Sequence, residues 1–187
     1  MPLDARTAAM SEPLRWGVIG SGAIASVFTT DLALTDSGRV VAVGSRHQES
    51  ADRFGDRFGI PSRYGSYQAL VGDPEVDVVY VATPHPVHFA DALLALEHGK
   101  PVLVEKAFTV SAAEARTLVD NARAKGLFLM EAMWTRFLPH MVEIRRLVEA
   151  GELGDMSGST SERKKFGELL RWFHDSECLP GTVVQTA

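Results

Sequence analysis

The stretch Trp16–Ala25 reads Trp-Gly-Val-Ile-Gly-Ser-Gly-Ala-Ile-Ala and decides the fold that this sequence predicts. An apolar run leads into the pattern Gly20-x-Gly22-x-x-Ala25, and a helical pattern follows it. This is the strand, turn and helix context of a dinucleotide-binding fingerprint. Gly20 permits the sharp turn off the strand, Gly22 lets a pyrophosphate approach the backbone, and Ala25 lets the helix pack closely on the strand.

The start of the helix after this turn is the predicted phosphate site. Backbone amides at Gly22, Ala23 and Ile24 have no carbonyl partner within the helix, and the helix dipole favours an anion beside them. They would therefore bind the phosphates of a dinucleotide. A glycine turn that only joins a strand to a helix is the alternative interpretation.

Composition limits the classes of function. The chain has 187 residues, 45% hydrophobic and 23% charged, which is ordinary for a soluble globular protein. Its 19 basic and 24 acidic residues give a net charge of −5, which disfavours general binding to nucleic acid or anionic membranes. The lone Cys178 permits no internal disulfide, no Cys/His spacing predicts a metal site, and no apolar run is long enough to span a bilayer. We expect a cytoplasmic protein, with residues 1–13 as a flexible N-terminal arm.

From residue 14 to residue 154, segments typical of strands and of helices alternate. Apolar runs such as Val40–Val43 and Val76–Ala82 are typical of parallel strands covered on both faces. The pattern predicts an α/β fold, a doubly wound parallel sheet of the Rossmann type with strand order 3-2-1-4-5-6. Ligands of such sheets bind beyond the carboxyl ends of the strands, so the residues that follow each strand are candidate site residues.

Ser45 and Arg46 follow the second strand. An NAD-preferring domain usually has an acidic residue here for the ribose hydroxyls, and this chain has none. Ser45 can donate a hydrogen bond, and the guanidinium of Arg46 matches a phosphate. We therefore predict NADP rather than NAD as the cofactor, with a solvated loop arginine as the alternative.

The fourth and fifth strands also end in polar residues. Thr83-Pro84-His85-Pro86-Val87-His88 follows the fourth strand, and its two prolines stiffen the turn. Thr83 and the histidines can bond a cofactor or face solvent. Glu105-Lys106 follows the fifth strand, where Lys106 could act as a proton donor or acceptor if Glu105 and partial burial tune its charge. A surface salt bridge between the two is the alternative.

Taken together, these motifs resemble the glucose-fructose oxidoreductase and inositol dehydrogenase family. The likeness rests on the fingerprint, on Thr83-Pro84-x-x-x-His88 and on Glu105-Lys106. The stretch Leu127–Phe137, Leu-Phe-Leu-Met-Glu-Ala-Met-Trp-Thr-Arg-Phe, resembles the dihydrodiol and xylose dehydrogenase branch. The resemblance covers residues 14–154 and implies NAD(P)-dependent oxidation of a secondary alcohol on a sugar, polyol or dihydrodiol.

The same resemblance implies roles for particular residues. Lys106 would be the catalytic lysine with Glu105 as its neighbour, and Thr83, Pro84 and His88 would line the cofactor. The remaining implied residues would border the substrate pocket, with ordinary packing as the alternative: Trp134, Arg136 and Phe137. The implied substrate partner is a small sugar-like molecule, and a homo-oligomer is possible.

The chain departs from the family in two places. Ala107 stands where the family usually has proline after the lysine, which removes a fixed φ beside Lys106. The family also continues into a second domain on a large open sheet, and residues 155–187 predict only a short tail with one amphipathic helix. That tail either docks on the nucleotide domain or a partner chain, or is foreign sequence after a truncation or frameshift. The alternative function is therefore a truncated NADP-binding protein without efficient catalysis.

Overall fold

A computed structural model describes residues 12–152 of the chain. The chain divides into two compact units, one up to Ala132 and one from Met133. Most of the predicted N-terminal arm and the whole predicted tail helix lie outside the described residues. None of the helices in the described part is long and apolar enough to cross a membrane.

The first unit contains one all-parallel sheet of six strands. The strand order is β3-β2-β1-β4-β5-β6, and every neighbouring pair is parallel, which confirms the predicted topology. The strands are Leu14–Ile19 (β1), Gly38–Gly44 (β2), Ser62–Tyr64 (β3), Val78–Val81 (β4), Val102–Val104 (β5) and Leu129–Glu131 (β6). The helices are Ala23–Leu32 (α1), Gln48–Phe58 (α2), Tyr67–Val71 (α3), His88–Glu97 (α4) and Ala112–Lys125 (α5).

Two apolar clusters cover the two faces of this sheet. On one face Val18, Val43 and Tyr80 pack against Ala25 of α1 and Phe54 of α2. The other cluster packs the strands against residues of α3, α4 and α5. Because both faces are buried, the strands are almost continuously apolar, as the sequence pattern predicted.

Local hydrogen bonds explain where elements differ from the sequence expectation. Helix α5 begins with a side-chain cap, since Ser111 Oγ accepts from the amide of Glu114 at 3.2 Å. In a capping box the glutamate side chain would accept from the amide of the cap residue Ser111. Here the Glu114 carboxylate accepts instead from the amide of Val110, one residue earlier, at 3.2 Å. Strand β4 begins at Val78 rather than Val76, because the Val76 amide closes a turn onto Asp73 O at 3.2 Å.

The described part of the second unit is helical. It contains a short 3₁₀ helix at Trp134–Phe137 and the helix Pro139–Glu149 (α6), with Pro139 in the first turn where its missing amide costs nothing. Arg146 of α6 pairs with Glu143 at 2.8 Å and with Glu152 at 3.0 Å.

Candidate active site

The glycine turn after β1 is built as the fingerprint predicts. Gly20 has φ +101°, and a Cβ there would lie 2.8 Å from the carbonyl oxygen of Ala82. Its amide donates to Gly44 O at 2.9 Å, which ties the turn to the end of β2. The fold itself therefore requires glycine at position 20.

At position 22, by contrast, no contact within the described part of the protein requires a glycine. Gly22 is the N-cap of α1 with φ −87°, and a Cβ there would meet no atom within 4 Å. Gly22, Ala23 and Ile24 are exposed, and no side chain caps this helix start. The open space and the uncapped amides fit a diphosphate at this helix start.

Ser45 and Arg46 differ in their surroundings at the end of β2. Ser45 is buried, donates its amide to Tyr64 O at 2.9 Å, and its hydroxyl accepts from Ser21 Oγ at 3.3 Å. Arg46 is exposed, and within residues 12–152 no carboxylate forms a salt bridge with it. Burial and the charge of Asp91 raise the pKa of Tyr67, and the cation of Arg46 opposes that shift. Arg46 thus stands free to meet an anion, as both the phosphate interpretation and the solvated-loop alternative require.

The polar atoms that follow β4 are largely taken up within the protein. Thr83 Oγ1 donates to Asp91 Oδ2 at 2.7 Å in a buried contact. Burial raises the pKa of Asp91, while the Thr83 hydrogen bond and the charge of His88 lower it. Pro84 is exposed and precedes the 3₁₀ turn His85–Val87 that leads into α4.

His88 joins the loops that follow β4 and β5. Its ring is 1% exposed, with Nδ1 2.8 Å from Ala107 O and Nε2 2.8 Å from Thr83 O. Carbonyl oxygens only accept, so both bonds form together only when each ring nitrogen carries a proton. Any contribution of His88 to cofactor binding would therefore act through the position of these two loops rather than through a free ring nitrogen.

Glu105 and Lys106 do not form the salt bridge that the sequence left open. Glu105 is buried, and its carboxylate accepts from the Tyr80 hydroxyl at 2.6 Å and from the Lys106 amide at 3.1 Å. The Lys106 side chain is exposed, so the partial burial that could have tuned its charge is not found. Among the described residues no carboxylate forms a salt bridge with Lys106, so its side chain is available to a ligand. The peptide bond between Lys106 and Ala107 is cis.

Sequence reasoning missed three supporting residues. Tyr80 donates to Glu105, and burial with that carboxylate raises the pKa of Tyr80, so it remains a hydroxyl donor. Asp91 receives the Thr83 hydroxyl, and Glu131 Oε1 accepts from the amide of Phe108 at 2.8 Å. The signal available for Tyr80 was a hydroxyl within an otherwise apolar strand.

The predicted substrate-pocket residues all lie in the second unit. Trp134 and Phe137 are 48% and 63% exposed, and Arg136 is exposed on the same 3₁₀ helix. The carbonyl of Arg136 accepts from Arg145 at 3.0 Å. A substrate role for these residues stays a prediction. The described residues contain no cluster of three or more side chains that could hold a metal ion.

Comparisons with known proteins agree with this geometry. Residues 14–133 match the model of an oxidoreductase family with an NAD-binding Rossmann fold. The chain is 50% identical over 154 residues to a D-xylose 1-dehydrogenase (NADP(+)) of Hypocrea jecorina, and 46% identical over 151 residues to a trans-1,2-dihydrobenzene-1,2-diol dehydrogenase of Mus musculus. These alignments cover 75% and 80% of the chain, and 39% and 45% of the relatives.

A solved structure shows the same likeness. The crystal structure of a 3-ketoreductase from Actinomadura kijaniata with NADP superposes with a TM-score of 0.69 at 35% identity, over 76% of this chain and 46% of that one. This chain spans less than half of the length of the curated relatives named above. The family model covers more than half of the chain, and its motifs lie at the carboxyl edge of a sheet with the expected topology. The chain therefore belongs to the Gfo/Idh/MocA oxidoreductase family.

Proposed function

We propose that the chain binds NADP and serves the transfer of hydride between the nicotinamide and a secondary alcohol of a sugar, polyol or dihydrodiol. The observation that carries this proposal is the exposed Lys106, which lies two residues after the end of β5 with its amide held by the buried carboxylate of Glu105. It lies at the same sheet edge as the open turn at Gly22. The names of the relatives, which include an NADP-dependent sugar dehydrogenase, support the substrate class.

The residues have separate tasks in this proposal. The amides of Gly22, Ala23 and Ile24 hold the diphosphate, and Ser45 with Arg46 meets the 2′-phosphate. The bound nicotinamide supplies the acceptor for hydride. In its neutral form, Lys106 Nζ would take the proton of the substrate hydroxyl while the carbon that bears this hydroxyl gives its hydride to the nicotinamide and becomes a carbonyl carbon. In the reverse direction the protonated lysine would return that proton.

The buried network behind Lys106 supports this role, because it holds the backbone on both sides of the lysine in place. Tyr80 and the Lys106 amide hold the two oxygens of Glu105, and His88 ties the carbonyl of Ala107 to that of Thr83. These contacts position the backbone on both sides of the lysine, while its side chain remains free to reach a substrate. Proton transfer requires such placement, because a general base must lie within hydrogen-bond reach of the proton it takes.

Substitutions at Lys106 test the proposal. NADP binding is measured by calorimetry, and turnover by nicotinamide absorbance with a panel of diols and aldoses. Lys106→Ala should abolish turnover and leave NADP affinity within about twofold, since general acid–base catalysis contributes roughly 10²- to 10⁴-fold. Lys106→Arg should also be inactive, because arginine keeps the charge but cannot release a proton at neutral pH.

The outcomes separate the two candidate functions. Full turnover by Lys106→Arg would show that charge, not proton transfer, is the role of this residue. Tight NADP binding by the unsubstituted chain, with no turnover of any compound in the panel, would favour the binding protein without efficient catalysis. Absence of binding to either nucleotide would refute both.

A further inference from the structure

The hydrogen bonds of His88 define the charge of its ring. Nε2 lies 2.8 Å from the carbonyl oxygen of Thr83, and Nδ1 lies 2.8 Å from that of Ala107. A neutral imidazole has a proton on only one nitrogen, and the lone pair of the other would then face the lone pairs of a carbonyl oxygen. The ring is 1% exposed. The two contacts together therefore require an imidazolium, which is a buried positive charge.

A buried cation needs a counter-charge, and Asp91 can supply it. Burying a charge is costly unless the charge is paired and hydrogen-bonded. Asp91 follows His88 by three residues on α4, so the two side chains share one face of the helix, and it is 7% exposed. The charge of His88 lowers the pKa of Asp91, against the rise that burial causes. The carboxylate and the imidazolium thus stabilise each other inside the protein.

Thr83 connects these two side chains. Its hydroxyl donates to Asp91 Oδ2 at 2.7 Å, while its carbonyl oxygen accepts from His88 Nε2. The hydroxyl holds the carboxylate in place at the beginning of α4, and the carbonyl holds the ring. All three residues are buried. The bond from His88 Nδ1 then leads out of this group to Ala107, in the loop that follows β5.

The other titratable groups around the pair are not alternatives to Asp91. The exposed His85 ring lies 5.6 Å from the His88 ring between centroids, and a proton on it would add a like charge. Burial and the charge of Asp91 raise the pKa of Tyr67 of α3, so its hydroxyl stays neutral. Glu105, in the loop after β5, accepts a hydrogen bond from another group on each of its two oxygens.

The bond between His88 and Ala107 reaches the residue that follows the candidate lysine. Lys106 directly precedes Ala107, and its own amide is held on the other side by Glu105. If His88 lost one of its two protons, one of the carbonyl contacts would become repulsive, and the loop after β4 or the loop after β5 would have to move. The charge of the ring thus controls how firmly the backbone at Lys106 is held.

We propose that Asp91 is a positioning residue, which keeps His88 as an imidazolium and through it fixes the loop that carries Lys106. The ion pair is a property of the chain itself, whereas its effect on turnover rests on the function proposed above. Asp91 acts through His88 and takes no part in the transfer of a proton to or from the substrate.

Nitrogen-15 NMR of the full-length chain at neutral pH tests the ion pair directly. Both ring nitrogens of His88, assigned through bonds from its backbone, should carry protons. Asp91→Asn keeps the shape of the side chain and an oxygen for the Thr83 hydroxyl, and removes the charge, so one ring nitrogen of His88 should lose its proton. Asp120→Asn is the matched control, because it removes an exposed carboxylate from α5 and should leave His88 doubly protonated.

Two measurements test the positioning role. Asp91→Asn should lower kcat about 10-fold or more at neutral pH, because a hydrogen bond from a charged donor is lost behind Lys106. This deficit relative to the unsubstituted chain should shrink as the pH is lowered, because His88 regains its proton, which a merely structural role would not predict. Without turnover, the loop is followed by hydrogen exchange at the amide of Phe108, which should become about 10-fold faster in Asp91→Asn.

Each outcome decides one part of the proposal. A single protonated nitrogen on His88 in the unsubstituted chain would overturn the ion pair, whether or not Asp91→Asn folds. An imidazolium that persists in Asp91→Asn would overturn the assignment of Asp91 as its counter-charge. Unchanged kcat and unchanged exchange at Phe108 in this variant would overturn the positioning role alone. Absence of turnover in the unsubstituted chain would count against the proposed function, while NMR and hydrogen exchange would still decide the role of Asp91.

Discussion

Removal of one hydroxyl group, in Tyr80→Phe, tests whether the buried carboxylate behind the candidate lysine is held as the structure indicates. The Tyr80 hydroxyl donates to Glu105 Oε1 at 2.6 Å in a buried contact. The ring also stacks on Phe28 with centroids 4.1 Å apart, and phenylalanine keeps that packing. The substitution therefore removes a single donor and leaves the shape of the core unchanged.

The expected loss follows from the charge and burial of the acceptor. Hydrogen bonds to charged groups contribute about 1.5–3 kcal/mol, and a buried acceptor left without its donor costs a similar amount. The free energy of unfolding in urea should fall by about 2 kcal/mol with no change in the slope. Turnover should fall as well, because the carboxylate that holds the Lys106 amide loses one of its two donors.

A double-mutant cycle with Glu105→Gln separates this bond from other effects of the substitutions. If the pair interacts as described, the losses of unfolding free energy in the two single variants should sum to more than the loss in the double variant, by at least about 0.5 kcal/mol. A loss below about 0.5 kcal/mol in Tyr80→Phe, or strict additivity in the cycle, would refute the reasoning. In that event the position of Lys106 would have to depend on the loop contacts of His88.

Two further predictions concern the glycine turn and the pH dependence of stability. Gly20→Ala should lower the free energy of unfolding by about 2 kcal/mol or more, since φ is positive and the Cβ meets Ala82 O. By contrast, Gly22→Ala should cost less than about 1 kcal/mol yet weaken NADP binding strongly in calorimetry; equal effects on both properties would contradict this division. Arg15 holds the pKa of Asp77 below its ordinary value, so this contribution is complete above about pH 4 and is lost as pH falls through the lower folded pKa. Urea midpoints measured between pH 7 and pH 2 should fall less steeply in Asp77→Asn, and identical slopes would refute the assignment.

The hydrophobic pattern and the glycine fingerprint together were enough to predict the sheet. Continuous apolar runs indicated strands buried on both faces, and the glycine fingerprint placed the first strand at the centre of the order. Helix ends were predictable where a residue type has a local reason to be there. Gly59 and Gly126, for example, follow α2 and α5 with φ of +66° and +64°.

Contacts between distant segments could not be read from the sequence. Nothing local indicated that Tyr80 and Glu105, which are 25 residues apart, share a hydrogen bond, or that His88 spans two loops. The sequence left the surroundings of Lys106 open for the same reason. In the structure its side chain is exposed, and the adjacent carboxylate accepts from the Tyr80 hydroxyl and from the Lys106 amide. The residue types that follow the strands indicated where functional groups are concentrated. Which of these groups bond to one another depends on how the strands and loops are placed in three dimensions.

The polar groups at the carboxyl edge of the sheet fall into two classes, and the distinction indicates where function resides. Thr83, His88 and Glu105 are buried, and each is bonded within the protein. Those bonds are demanded by folding, because a buried polar group without a partner is costly. The amides that begin α1 and the side chain of Lys106 are exposed, so folding does not require them to be bonded within the protein. In the free protein water satisfies these exposed groups, and in the proposed function they are the groups that would contact the cofactor and the substrate.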